Sequence, residues 1–324
     1  MEHVRWLAQP KLRRPMLIAA FTGWNDAGDA ASNSVRHLVE AWNAEPLAEI
    51  DPEEFTDFAT VRPHVRLTPE QKRTIVWPTV GLWSASTPGG DVILALGPEP
   101  ALRWQLFTEQ VIGIAQRFEV SMVLTLGALL ADVPHTRPVQ LIGTATEHDI
   151  IERFDLQRSR YEGPTGIVGV LHDGCTRADL ASASLWAAVP AYASQVPSPK
   201  ASLALIERAC EMLGTPSPTA QLHSDARDYD NRVSTFVAED GELMGYVARL
   251  ESMADSGHLV DDDYFSDGTD DDLDDDDNDD DNDDDDDSVG GELADEADKV
   301  VNSEVNSEEL MAEVERFLRD QGSS

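Results

Sequence analysis

Three groups of residues have types and spacing that could do chemistry. Gly23-Trp24-Asn25-Asp26-Ala27-Gly28-Asp29 is a glycine-bounded turn that follows an apolar run. Open α/β sheets bind ligands at such turns, and the helix start behind one can hold an anion. A phosphate loop would follow its second glycine with lysine, whereas Asp29 follows Gly28 here, so the aspartates read more simply as caps of the next helix. Tyr161-Glu162-Gly163-Pro164-Thr165-Gly166 is a second glycine-rich loop ahead of a helix. Thr165 could cap that helix, and Glu162 could act as a general base if a pocket enclosed it. Third, Pro134-His135-Thr136-Arg137-Pro138 follows another apolar run, which makes His135 and Arg137 candidate ligand contacts at a strand end.

If the chain is an enzyme, Glu162 or His135 would move the proton and Asp26 would orient it. Expected ligand or partner contacts are Gly23, Trp24, Asp26, Gly28, Arg137, Gly163, Thr165 and Gly166. His148 and His172 rank lower, because neither has a second ligand at zinc-binding helical spacing, and neither a metal nor a cofactor is expected. The chain contains no Gly-x-Ser-x-Gly elbow, no Gly-x-Gly-x-x-Gly and no Gly-x-x-x-x-Gly-Lys-Ser/Thr loop. Common hydrolase, dehydrogenase and NTPase readings therefore lose their usual support.

These loops need a scaffold that aims them at one edge, and the hydrophobic pattern supplies it. Met16 to Phe21 reads as a strand buried on both faces, and a helix is expected from Asp26. The alternation continues with a strand at 92–96, a helix from Pro98 to Phe118, and a strand from Val120 to Leu126. Beyond these come a helix at Thr165 to Arg177, a strand at Ala183 to Val189, and a helix at Pro199 to Leu213. Ser198 and Gly214 punctuate the last helix. Residues 224–253 read as helical, and proline-rich 51–80 reads as a long excursion or an antiparallel edge. Strands alternating with helices imply a three-layer α/β body, a mostly parallel sheet with helices on both faces.

Composition divides the chain. Its formal charge is −38, of which residues 261–324 carry −26 and residues 1–260 only −12. Residues 261–287 contain 19 Asp, which repel at a spacing well inside a Debye length of about 8 Å. The expected organisation is therefore an α/β domain at 1–255, a disordered Asp-rich spacer at 256–304 and an amphipathic helix at 305–324. Asn306 and Glu309 read as a capping box for that helix, and Leu310, Met311, Val314, Phe317 and Leu318 as its apolar stripe. An acidic body without clustered Lys or Arg argues against nucleic acid. The longest apolar run near the start, six residues at Met16 to Phe21, is too short for a signal-peptide core or a membrane span, so a cytoplasmic protein is expected. Cys175 and Cys210 sit in apolar helical patterns and read as buried thiols.

The segments GWNDAGDAAS (Gly23 to Ser32), TLGALLADVPHTRPV (Thr125 to Val139), SRYEGPTGIVGVLHD (Ser159 to Asp173) and SLWAAVP (Ser184 to Pro190) together resemble the proteasome assembly chaperone 2 (PAC2) family in its actinobacterial branch. The resemblance covers about residues 10–253 and the final helix. It implies an α/β body similar to nucleoside phosphorylases and related hydrolases, but working in eukaryotes and archaea as a non-enzymatic chaperone of proteasome subunits. Proteasome-binding members end in a hydrophobic-Tyr-any-residue tail, which Arg319 to Ser324 does not match, so a proteasome role here would use another surface.

The leading expectation is thus a non-enzymatic assembly or interaction factor with a proteasome-related partner. The alternative is a small-molecule-binding enzyme, a hydrolase, phosphorylase or ligase, using the pocket at the strand ends. A symmetric homo-oligomer, of which a trimer is one form, is expected from apolar surface on the first helix and on the Pro98 to Phe118 helix, with Trp104 and Phe107 beside its core stripe.

Overall fold

The computed structural model describes residues 1–69 and 71–257. Up to the middle of the sheet they form β1 (Val4–Trp6), β2 (Met16–Thr22), α1 (Ala30–Ala41), β3 (Glu45–Ile50), β4 (His64–Leu67), β5 (Arg73–Val76), β6 (Val80–Thr87), β7 (Gly90–Pro98) and α2 (Trp104–Arg117). Then follow β8 (Met122–Ala131), β9 (Leu141–Ala145), α3 (His148–Phe154), α4 (Ile167–Arg177), β10 (Ser182–Pro190), α5 (Pro199–Leu213), α6 (Leu222–Ala238) and α7 (Gly241–Asp255). The expected spacer, apart from Ser256 and Gly257, and the expected helix at 305–324 lie outside the described residues.

Eight strands form one sheet in the order β1-β3-β6-β7-β2-β8-β10-β9. Its centre, β7-β2-β8-β10, is parallel, and antiparallel strands flank it on both sides. The continuous apolar run in β2 has a simple cause. Ile18 and Ala20 face one layer, built by α1 and α5, while Leu17, Ala19 and Phe21 face the other, built by α2 and α4. Both faces of a central parallel strand are covered by crossover helices, so its alternation disappears. The chain is therefore a three-layer α/β fold.

Element boundaries differ from the sequence expectation where proline or a left-handed residue intervenes. The α2 helix starts at Trp104 rather than Pro98, because Pro98 is still paired with Thr22 in the sheet and Arg103 adopts a positive φ of 51° just before the first turn. The helical stretch at 224–253 is a pair, broken where Asp240 Oδ1 accepts from the amides of Glu242 and Leu243 and starts α7. The excursion at 51–80 holds a separate two-stranded hairpin, β4–β5, before the chain re-enters the sheet as β6.

Part of the apolar surface expected on α1 and on the Pro98 to Phe118 helix is buried in the core. Phe107 is 1% exposed and stacks edge-on with Phe21 and Phe55, and Ala30 and Ala31 of α1 are fully buried. Large exposed apolar side chains lie instead on the β4–β5 hairpin and its exit (Val65, Leu67, Ile75, Val76, Trp77) and on α6 and α7 (Phe236, Met244, Met253). Among the described residues no helix is long and apolar enough to cross a membrane. Cys175 and Cys210 are free and buried, which pushes their thiols up to about 12 and about 11.

Candidate functional site: a cleft beside the parallel strand ends

The turn after β2 is held by a residue that sequence reasoning passed over. Gly23 takes a φ of +119°, a left-handed-side conformation that lets the chain leave the strand sharply. Asn25, fully buried, accepts the Ala128 amide on its carbonyl at 2.8 Å and donates Nδ2 to Glu99 Oε1 at 2.7 Å. The same Glu99 oxygen accepts the Ile167 amide at 2.7 Å, in the first turn of α4. Glu99 therefore ties together the loops after β2 and β7 and the start of α4. One signal in the sequence could have found it: a carboxylate placed immediately after the strand-ending Gly97-Pro98.

Gly166 completes the knot. A Cβ there would lie 2.3 Å from Asn25 Oδ1 and 2.8 Å from Glu99 Oε1. Gly166→Ala is accordingly expected to destabilise the fold by about 1–3 kcal/mol, the usual range for overpacking, seen as a lower urea midpoint. An unchanged midpoint would mean that the three loops are not locked to one another.

The structure puts Asp26, His135 and Glu162 into three separate settings and does not bring them together. Asp26 Oδ1 accepts the Ala31 and Ser32 amides at 2.8 and 3.0 Å, so this buried carboxylate caps α1. Burial pushes its pKa above the ordinary value, against the opposing hydrogen bonds from Ser32 and Ala31. His135 lies under the α6–α7 pair. Its Nδ1 meets the Tyr192 hydroxyl at 2.8 Å and its Nε2 the Ser234 hydroxyl at 2.9 Å, while its carbonyl accepts from Lys200. Burial lowers the imidazole pKa, with Asp230 working in the opposite sense.

Arg137 serves the same interface, donating Nε and Nη2 to the Asp255 carboxylate at 2.8 and 2.7 Å. Gly28, at φ +56°, packs on the start of α5, where its carbonyl accepts the Ser198 amide at 2.8 Å. Glu162 and Gly163 are exposed on the loop before α4.

A different set of residues surrounds a large cleft of about 810 Å³ between α4, the 157–166 loop and the β8-β10-β9 side of the sheet. Its origin is the small side chains on that face. Gly127 lets the Trp186 ring lie across β8, since a Cβ at Gly127 would be 2.5 Å from it, and Ser184 and Thr144 add little bulk. Apolar walls come from Leu129, Leu130, Ile142 and Trp186, and hydroxyls from Thr144, Thr146 and Ser184. Trp24, 67% exposed, stands at the mouth with Tyr161, Arg158 and Arg160.

Of the expected contacts, Gly23, Trp24, Thr165 and Gly166 line this cleft, whereas Asp26, Gly28, Arg137 and Gly163 do not. His172, ranked low from sequence, is a lining residue. Its Nε2 meets Thr146 Oγ1 at 3.0 Å and its Nδ1 meets Ser182 Oγ at 3.1 Å. Burial lowers its pKa, which leaves the ring neutral at neutral pH.

Comparison with known proteins identifies the family to which this fold belongs. The PAC2 family profile matches residues 20–237. A PAC2 family protein from Streptomyces avermitilis is 43% identical with a TM-score of 0.67, over 72% of this chain and 99% of its own. A proteasome-assembly chaperone homologue from Mycobacterium tuberculosis is 42% identical with a TM-score of 0.66, again over 72% of this chain and 99% of its own. PbaB of Pyrococcus furiosus, an archaeal proteasome activator, shares the fold at 16% identity and a TM-score of 0.59, over 72% of this chain and 97% of its own. No curated protein matches the sequence. With a profile that spans most of the α/β body and bacterial relatives above 40% identity, the chain belongs to the PAC2 family.

Proposed function

We propose that this PAC2 protein is a non-enzymatic interaction factor of the assembly-chaperone kind, acting on a proteasome-related partner and itself a symmetric homo-oligomer. One observation carries the reading: the β4–β5 hairpin presents apolar side chains that are exposed among the described residues. Val65 and Ile75 are direct cross-strand partners at 49% and 47% exposure, with Leu67 at 60% and Trp77 at 47% nearby. Contiguous exposed apolar patches mark interaction sites, whereas singly scattered apolar residues do not. Arg62, Arg66, Lys72 and Arg73 surround them, so the complementary partner surface is apolar with acidic groups at its edge. The description of the mycobacterial relative as a proteasome-assembly chaperone homologue supports the class of partner. Of the three residues considered for catalysis, Asp26 and His135 are held in structural hydrogen bonds and Glu162 is exposed on a separate loop, a dispersal that supports a role without turnover.

The test is co-expression of the chain with proteasome α and β subunits from the same organism, followed by affinity recovery and mass spectrometry. Val65→Asp with Ile75→Asp is expected to reduce recovery of the subunits at least tenfold, while the melting temperature stays within about 2 °C because both side chains are exposed already. Equal recovery by the double variant would remove the hairpin from the interface, and no recovery by the unaltered chain would remove the partner class.

A second reading, a small-molecule enzyme, is favoured by the size and position of the cleft. It requires turnover of a metabolite that is lost when a cleft residue such as His172 is replaced.

A further inference from the structure

We infer that the cleft beside α4 is a binding site for a small aromatic anion, an activity that neither depends on the assembly reading nor requires it. The argument begins with charge. Residues 1–260 carry a net −12, yet the residues lining this cleft include two arginines and no Asp, Glu or Lys. Arg158 and Arg160 are exposed, and neither has a carboxylate partner among the described residues. Arg158 Nη2 is instead held by the Thr146 carbonyl at 3.0 Å, which fixes its guanidinium at the mouth without neutralising it. A positive rim without internal counter-charge recruits its counter-ion from solution, and arginine does so in a directed, bidentate manner.

The remainder of the lining selects the body of the ligand. Trp24 and Trp186 supply aromatic surface to the lining, Ile142 and Leu130 aliphatic surface, and Thr144 and Ser184 two hydroxyls for orientation. A volume of about 810 Å³ suits a ligand of drug or nucleotide size and lies in the range of natural small-molecule pockets, about 300–1,000 Å³. The start of α4 is not the anion subsite, since Glu99 already accepts the Ile167 amide there and its own charge would repel an anion. The negative group of the ligand therefore sits at Arg158 and Arg160, and its ring system lies on Trp186.

The probes are 1-anilinonaphthalene-8-sulfonate, an aromatic anion, and N-phenyl-1-naphthylamine, its uncharged counterpart, titrated into the full chain and followed by probe fluorescence. The unaltered protein is expected to bind one sulfonate per chain. Arg158→Ala with Arg160→Ala is expected to weaken the sulfonate at least tenfold and the uncharged probe less than twofold. Trp24→Ala is expected to weaken both probes by a similar factor. Because both arginines are exposed, the double variant should fold, and a circular dichroism melt verifies it. The hairpin variant Val65→Asp with Ile75→Asp controls for adsorption elsewhere and should leave sulfonate affinity unchanged. The inference is overturned if the arginine variant binds the sulfonate within twofold of the unaltered chain, or if the hairpin variant alone abolishes binding.

Discussion

Phe107→Ala is expected to lower the unfolding free energy by about 3–5 kcal/mol, the range for removing a buried phenylalanine without refilling its space. The side chain is 1% exposed and is held edge-on by two other rings, Phe21 of β2 at 5.7 Å and Phe55 at 5.4 Å between centroids. Such pairs add about 0.5–1.5 kcal/mol each beyond area burial. In a domain of this size the loss translates into a melting temperature lower by roughly 2–4 °C per kcal/mol, hence a fall of roughly 6–20 °C. Urea denaturation and a thermal melt measure it. The competing expectation, that Phe107 belongs to a subunit interface, predicts an altered oligomer mass with monomer stability nearly kept, and light scattering of the same samples distinguishes the two.

The second large effect is a divergence between two substitutions of Asp26. Asp26→Ala removes the acceptor of two buried amides at the start of α1, and the loss of a buried cap together with the amides left bare is expected to cost about 2–3 kcal/mol. Asp26→Asn keeps a carbonyl oxygen in the capping position and removes a buried charge, so at neutral pH it is expected to be neutral or stabilising. The pH dependence fixes the sign. Burial raises the folded-state pKa of Asp26 above its ordinary value of 3.8, so the folded protein holds this proton more tightly than the unfolded chain does. That contribution is fully present below pH 3.8 and is lost as pH rises through the raised folded value. The asparagine variant lacks it. Measured by urea unfolding at about pH 4 and pH 7, Asp26→Asn should gain relative to the unaltered protein at the higher pH. A relative loss with rising pH would falsify the account of Asp26 as a desolvated cap and would restore it as a charge kept for chemistry.

Particular residues show how far the sequence carries. The fold class is legible in β2, β7, β8 and β10, because a central parallel strand is buried on both faces and announces itself as an unbroken apolar run such as Met16 to Phe21. The α5 helix is equally legible at Pro199–Leu213, since Ser198, Pro199 and Gly214 are local stop and start signals whose physics needs no neighbours. Short edge strands such as β1 and β9 escape because half-buried residues there follow no strong period. The loops at Gly23 and His135 follow β2 and β8 and Gly166 stands at the start of α4, but the partners of their side chains are not legible in the sequence.

That division has one physical origin. Periodicity, caps and net charge are set by residues within a few positions of one another, so the amino-acid order alone determines the α/β layers and the acidic character. The site depends on contacts across long separations, which are chosen only when the layers pack. Asn25 reaches Glu99 across 74 positions and Ile167 reaches it across 68, while His135 finds Ser234 across 99. Tertiary structure alone therefore decided that His135 is a strut beneath α6, that Asp26 is a cap, and that His172, Arg158 and Trp186 share a cleft. Packing also decided which apolar residues remain outside: Phe107 and Val65 look alike in a hydrophobicity profile, and only the presence of Phe21 and Phe55 around the first makes one core and the other surface.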